Sequence, residues 1–295
     1  MREAADGGAA PVSVVIATRD RRAELLHTLE RLTALPERPP VIVVDNGSRD
    51  GTATAVARRF PDALLVPLPR NLGAPARNIG VRLARTPYVA FSDDDSWWAP
   101  GALARAAGIL DGHPRLGLLA GRVRLGRGGP VDAVSRKMAS APIGHPPGLP
   151  GPAIVGFPAC AAVVRKDAFL AAGGFDELLF FGGEETLLAV DLAADGWDTA
   201  YTADVEAHHR PSESRGDPGG RWALHRRNDL LVCWMRLPLG SAARRTAALA
   251  AHSTHNRAAA RALCALLARL PRALRRRRRA PREVVRRLRV LGELR

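Results

Sequence analysis

The sequence predicts an α/β fold: a mainly parallel sheet flanked by helices, followed by an Arg-rich helical extension. Three observations carry that expectation. Over roughly the first third of the chain, short apolar runs alternate with stretches of helical spacing. Three of those runs end directly in a polar cluster. Near residue 240 the composition shifts to Ala, Leu and Arg.

The runs at 12–17, 41–44, 63–66 and 88–91 are continuous rather than alternating, the pattern of strands buried on both faces of a parallel sheet. Between them, Leu25, Leu29 and Leu32 recur at helical spacing within 21–34, a helix is expected over 51–60 after the Asn46-Gly47-Ser48 turn, and Ile79 and Leu83 share one face of 74–85. This β-α-β-α-β order implies an open sheet with right-handed crossovers. Beyond residue 100 the signals thin. A helix fits 100–111, opened by Pro100. Residues 126–158, rich in Gly and Pro, read as a long loop over a site. A strand is expected over 159–165 and helices over 184–195 and 221–236, while Pro271 and Pro281 mark breaks in the terminal region.

The chain has 295 residues and a net charge of +15. Residues 241–295 hold 16 Arg against only Glu283 and Glu293, so the remainder is nearly neutral. A neutral body with a basic tail argues for an appended element that meets something anionic, not for a fold that binds nucleic acid throughout. The tail also has no aromatic residue on which a base could stack. Cys160, Cys233 and Cys264 are odd in number and far apart, which excludes a disulfide framework or a Cys-based zinc site. The polar start MREAADGGAAP has no signal-peptide pattern, and no uncharged apolar run reaches the ~18 residues that span a bilayer. A cytoplasmic protein is expected, brought to the inner face of the cell membrane by its tail.

The three polar clusters are Thr18-Arg19, Asp45-Asn46-Gly47-Ser48-Arg49-Asp50 and Asp93-Asp94-Asp95. Ligands of open α/β sheets bind beyond the carboxyl ends of the strands, where all three fall. Three adjacent carboxylates repel one another. If the backbone stays extended, Asp93 and Asp95 point one way and Asp94 the other. Two carboxylates on one side make a site for a hard cation, Mg²⁺ or Mn²⁺, shared with a substrate diphosphate. The competing reading is a helix start, with Asp94 capping residues from 97 onward.

Taken together, "VSVVIATRDR", "VIVVDNGSRDGT", "NLGAPARNIGVRLARTPYVAFSDDD" and "GGFDELLFFGGEETLLAVDLAADGW" resemble, in order over residues 11–210, the inverting family 2 glycosyltransferases of the GT-A fold. The resemblance implies a domain over 1–240, with a nucleotide-binding half about 11–124 and an acceptor half about 125–240, followed by a basic amphipathic tail over 241–295. By this resemblance Thr18 and Arg19 lie near the base and diphosphate of a UDP- or dTDP-sugar. Asp45, beside Asn46, accepts the imide N–H of the base; the alternative is a turn closed on its own backbone. Arg77 and Asn78 cover the nucleoside, or else form an exposed helix face. Asp93 binds ribose and Asp95 the metal, with Asp94 beside them. His208 or His209 supplies a further metal ligand.

On the acceptor side the chain departs from the family. The usual acidic pair is Glu-Asp; here it is Glu184-Glu185, and Leu187 replaces a later acid. Glu185 takes the place of the catalytic base, one methylene longer than Asp. Trp98 is assigned to the acceptor side, although core packing is favoured for both Trp97 and Trp98. Arg227, in "HRRNDLL", meets a phosphate or lies on a solvated face; that segment resembles rhamnosyltransferase-like members. In the tail, Leu263, Leu266, Leu267, Leu270, Val284, Val285, Leu288 and Leu291 recur around five consecutive Arg, 275–279. Residues 257–292 could thus lie on an anionic bilayer, suiting a lipid-linked hydroxyl acceptor, or pack on the domain with a basic outer face. The rival functions are a non-catalytic nucleotide-binding or membrane-tethering protein, and a nucleotidyltransferase. The second lacks support because Thr18-Arg19-Asp20-Arg21-Arg22 stands where a Gly-rich basic loop would be expected.

Overall fold

The structure, a computed structural model, describes residues 11–211 and 217–290. Residues 1–10 and Leu291 of the tail pattern lie outside them. The described strands form one mixed sheet of eight in the order β3-β2-β1-β4-β7-β6-β8-β5. Its parallel part is β1 (Val12–Thr18), β2 (Val41–Asp45), β3 (Leu64–Pro67) and β4 (Tyr88–Ser92). These are joined by α1 (Arg22–Thr33), α2 (Thr52–Arg59) and α3 (Ala76–Leu83). Both faces of β1 are buried because its side chains alternate between two cores. Val14 and Ile16 pack with Leu25 and Leu29 of α1, whereas Val15 packs with Val81 and Phe91. Gly80 lets α3 lie directly on β1, since a Cβ there would sit 2.5 Å from a Val15 methyl.

The second half of the sheet is where the sequence misleads. After the acid triplet the chain forms β5 (Ser96–Trp98), then α4 (Ala102–Gly112), β6 (Leu116–Leu125) and α5 (Ala133–Ala139). A single 3-10 turn (Ala159–Ala161) precedes β7 (Ala162–Arg165), so the strand expected from 159 starts later. Then come α6 (Lys166–Ala171), α7 (Glu184–Ala194) and β8 (Asp198–His209). β7 runs antiparallel between β4 and β6, while β8 is parallel to β6. β5 returns along β8 in antiparallel register, Ser96 opposite His209. The competing reading of a helix start from 97 is therefore overturned: residues 96–98 are a strand, and Asp94 caps nothing. The expected long loop contains α5, whose first turn is capped by the Asp132 carboxylate accepting from the Ser135 N–H.

Helices α8 (Pro218–Arg236), α9 (Leu239–Ser253), α10 (Arg257–Arg275) and α11 (Arg282–Val290) complete the described chain. They share cores with the domain instead of standing off it. Leu178 and Leu187 pack with Leu230 of α8 and Leu266 of α10, and Val155 and Val190 pack with Val284 and Leu288 of α11. The apolar stripe expected to meet a bilayer is thus largely turned inward, with Leu267, 52% exposed, left outside. Pro271 does not break the chain, because α10 runs through it with its ring exposed. A buried bidentate pair, Arg236 with Asp191, ties α8 to α7, and Arg236 also donates to the Arg276 carbonyl. No helix among the described residues is long and apolar enough to cross a membrane.

Candidate active site

Strand pairing assembles the acidic centre. β4 ends at Ser92, and β5 crosses to β8, so the acid triplet spans the gap between two distant parts of the sheet. The Arg210 N–H donates to the Asp95 carbonyl at 2.9 Å, locking the end of β8 to the triplet. His209 Nε2 consequently lies 3.2 Å from Asp95 Oδ1. Single ligand atoms of Asp93, Asp95 and His209 fall within 4.8 Å of one another. His208, the next residue on the strand, points the other way. It packs on Trp97 with Nδ1 near the Gly126 carbonyl, and is thereby removed as a metal ligand.

Asp94 faces away from that centre. Its Oδ2 accepts from Thr18 Oγ1 at 3.0 Å, its Oδ1 ion-pairs with Arg21 Nε at 2.7 Å, and Thr28 donates to its carbonyl. Burial pushes its carboxyl up to about 7, against the pull of Arg21. Thr18 and Asp94 are thus engaged with each other. Burial also acts to raise Asp95, but the His209 hydrogen bond and charge, with Arg21 2.8 Å away, hold it below the ordinary carboxylate value. His209 is correspondingly raised, its Asp95 partner outweighing burial. Arg77 Nη2 donates to Asp93 Oδ1 at 2.5 Å. The repulsion within the triplet is therefore offset by the chain's own cations, Arg21, Arg77 and His209, before any ion is considered. Carboxylate oxygens with one imidazole still form a donor set that suits Mn²⁺ or Mg²⁺, and Arg77 occupies only Oδ1 of Asp93.

On the nucleotide side, buried Asp45 closes its own turn through Oδ1, which accepts from the Ser48 N–H at 2.9 Å. Asn46 holds the next loop by accepting from the Leu72 N–H and donating to the Gly73 carbonyl. Asn78 brackets Phe175, accepting from its N–H and donating to its carbonyl. Both asparagines position loops, because both ends of each amide are engaged by backbone. Arg19 lies on the surface beside Asp20.

The loop before α7 builds another part of the site. Asn228 donates from Nδ2 to the carbonyls of Leu179, Phe181 and Gly182, and Arg227 donates to the Leu179 carbonyl. Arg227 is buried and braces this loop, so it does not form a solvated face. Ala74 N–H donates to the Phe180 carbonyl at 2.7 Å, beside Gly73, whose absent Cβ would overlap that oxygen. This loop delivers Glu184 and Glu185 to the N-terminus of α7. Arg77, Asp93, His209, Glu184, Glu185 and Phe181 line one cavity of about 260 Å³, together with Asp132 and Cys160. Burial, with Glu184 alongside, pushes the Glu185 carboxyl up to about 8. Glu184 is 3% exposed with an unpartnered Oε2, and burial raises it as well. Trp98 is removed from the acceptor side: it is fully buried in the core against the helices below the sheet. Arg21, Asn228, Asp132 and Phe181 are the residues that sequence reasoning missed. Arg21, Asn228 and Phe181 stand within motifs already recognised, and Asp132 within the expected loop over 126–158, but only the folded chain reveals what each touches.

The family model described as "Glycosyl transferase family 2" matches residues 13–170. Among curated proteins, the N-acetylglucosaminyl-diphospho-decaprenol L-rhamnosyltransferase of Mycobacterium tuberculosis is 28% identical over 285 residues, covering 81% of this chain and 91% of the relative. Among solved structures, the mannosyltransferase PcManGT of Pyrobaculum calidifontis, in complex with GDP-Man and Mn²⁺, superposes with a TM-score of 0.58 at 21% identity, covering 98% of this chain and 86% of that one. S. aureus TarS 1–349 in complex with UDP-GlcNAc gives 0.55 at 18% identity, covering 75% of this chain and 66% of that one. The match spans 39% of a longer TarS chain.

Proposed function

The chain belongs to glycosyl transferase family 2 and is a glycosyltransferase of GT-A fold, and on that premise we propose that it transfers a sugar, with inversion, from a UDP- or dTDP-sugar to a hydroxyl of a lipid-linked acceptor. One observation carries this reading: a single cavity is lined by Asp93 after β4, His209 at the end of β8 and Glu185 in the first turn of α7. The mycobacterial relative is named for an acceptor that is a sugar joined through diphosphate to a polyprenol, which suggests the acceptor class and makes L-rhamnose the first sugar to try.

Asp93, Asp95 and His209 would hold Mg²⁺ or Mn²⁺, with Asp132 at the same cavity wall. A divalent ion bound there supplies positive charge against the departing diphosphate. Arg77, at the cavity wall, and Arg21 would orient the two carboxylates for an ion through their ion pairs. Asp45 keeps one oxygen beyond its turn, and an acceptor-only carboxylate suits the imide N–H of uracil or thymine. Glu185 takes the proton of the acceptor hydroxyl as its oxygen attacks the anomeric carbon. The raised carboxyl of Glu185 makes it a stronger base than an ordinary carboxylate once ionised. Attack opposite the departing diphosphate inverts the centre without a covalent enzyme intermediate. The tail's outer Arg residues would hold the protein against an anionic membrane bearing the acceptor.

The test is release of free nucleoside diphosphate from a panel of activated sugars, with Mn²⁺ or Mg²⁺ and a sugar-diphosphate-lipid acceptor. Wild type is expected to turn over, and Glu185→Gln to lose at least a hundredfold. Equal silence of both across the panel favours a non-catalytic binding role, and release of pyrophosphate favours nucleotidyl transfer.

A further inference from the structure

We infer that Phe181 is the platform on which a sugar ring of the acceptor stacks, and so a specificity-determining residue of the acceptor subsite; this rests on the proposed function. Phe181 is 50% exposed, yet it lines the same cavity as Glu185. Its placement is imposed by the chain. Asn228 donates to its carbonyl at 2.9 Å, and its own N–H donates to the Leu179 carbonyl at 2.8 Å. Phe180, just before it, is held at φ +67°, a left-handed conformation that is strained for a bulky residue. The Ala74 N–H on the Phe180 carbonyl fixes that conformation, and Gly73 makes room for it. The fold thus maintains a strained turn that leaves an aromatic ring uncovered at the cavity wall.

The cavity indicates the occupant. At about 260 Å³ it lies at or just below the lower end of small-molecule sites, about 300 Å³. That suits one ring better than a lipid chain. Its walls are divided: Asp93, Glu184 and Glu185 are acidic, whereas Phe181, Val134 and Pro158 are apolar. A pyranose is divided in the same way, with hydroxyls at its rim and C–H bonds across its faces. Those C–H bonds carry slight positive charge and meet the negative face of an aromatic ring favourably. Glu184 and Glu185 would then take the hydroxyls, one of them the nucleophile, while Phe181 covers the apolar face. The fully buried Trp98 can do none of this.

The test uses the full chain as wild type, Phe181→Ala, Phe181→Leu and Phe181→Trp, with two acceptors: a sugar diphosphate on a short alkyl chain and the same sugar diphosphate on a long polyprenol. The expected result is that Ala and Leu raise the acceptor KM about tenfold on both acceptors, Trp restores it, and the donor KM holds. An unchanged acceptor KM in Phe181→Ala overturns the inference. So does a Leu variant equal to wild type, which would mean simple apolar contact. Loss confined to the long-chain acceptor would assign Phe181 to the lipid and likewise overturn it. If wild type itself releases no nucleoside diphosphate, the proposed function falls first, and this inference with it.

Discussion

With Glu185 as the proposed base, one carboxyl would set both the pH dependence of the reaction and part of the stability. It must be ionised to accept a proton, and burial with Glu184 beside it pushes its carboxyl to about 8. The rate, followed as kcat/KM, should therefore climb through neutrality and level off above about pH 8. Stability runs the other way. The folded value lies above the ordinary 4.5, so the folded chain keeps a proton that the unfolded chain has released. That contribution is complete below 4.5 and is lost as pH rises through about 8. Glu185→Gln removes it. Denaturant titrations of the variant and wild type should diverge in the variant's favour by up to about 1.4 kcal/mol per pH unit across that window. A gap independent of pH would mean the carboxyl is not perturbed. That the 93/95 acids follow a strand and that Glu185 opens a helix was legible in the sequence, from the apolar run before the first and the helical spacing after the second. The choice between the two histidines was not, because it depends on how the end of β8 meets β5.

At the scale of elements, legibility followed burial pattern. β1, β2 and β4 are continuous apolar runs and read directly. β6 carries Gly117, Gly121, Arg122 and Arg124 within one strand, and β8 reads DTAYTADVEAHH, so neither has a strong apolar run. Tertiary pairing makes them strands: Gly121 lets β8 approach, since a Cβ there would lie 2.7 Å from the Val205 carbonyl oxygen, and Glu206 pairs with Arg122 and Arg124. Two contacts between elements can be tested. The bidentate Asp191–Arg236 pair is buried on both sides, so Asp191→Ala should lower the unfolding free energy by roughly 3–5 kcal/mol, because Arg236 is left buried without its counter-charge. A loss under about 1 kcal/mol would show the pair to be dispensable. Asn228→Ala frees three carbonyls of the turn before α7. It should cut kcat at least tenfold while raising hydrogen exchange at residues 179–183, because the base would no longer be held in register.

For the whole molecule, the question is what the +15 charge does. The Arg run at 275–279 reads as a membrane patch, yet the fold uses much of it internally. Arg276 pairs with Asp176 and Glu177, Arg277 donates to the carbonyls of Trp234 and Leu237, and Arg278 pairs with Asp195. These contacts, with Leu266, Val284 and Leu288 in shared cores, make α9 to α11 part of the domain's own packing. A chain ending at residue 240 should therefore aggregate, since it would leave Leu230 and Met235 of α8 uncovered. Membrane contact would fall to the outward Arg residues such as Arg275 and Arg279, beside the exposed Leu267 and Leu274. The full chain should then adsorb to vesicles rich in anionic lipid and not to neutral ones. It should come off as ionic strength rises from about 0.1 M to about 1 M, where the screening length falls from about 10 Å to about 3 Å. Leu267→Asp should barely change this, because an adsorbed helix held by charge does not bury that side chain. Binding that survives high salt but is abolished by Leu267→Asp would mean that α10 inserts its exposed leucines, and the inward packing of the tail would have to open at the membrane.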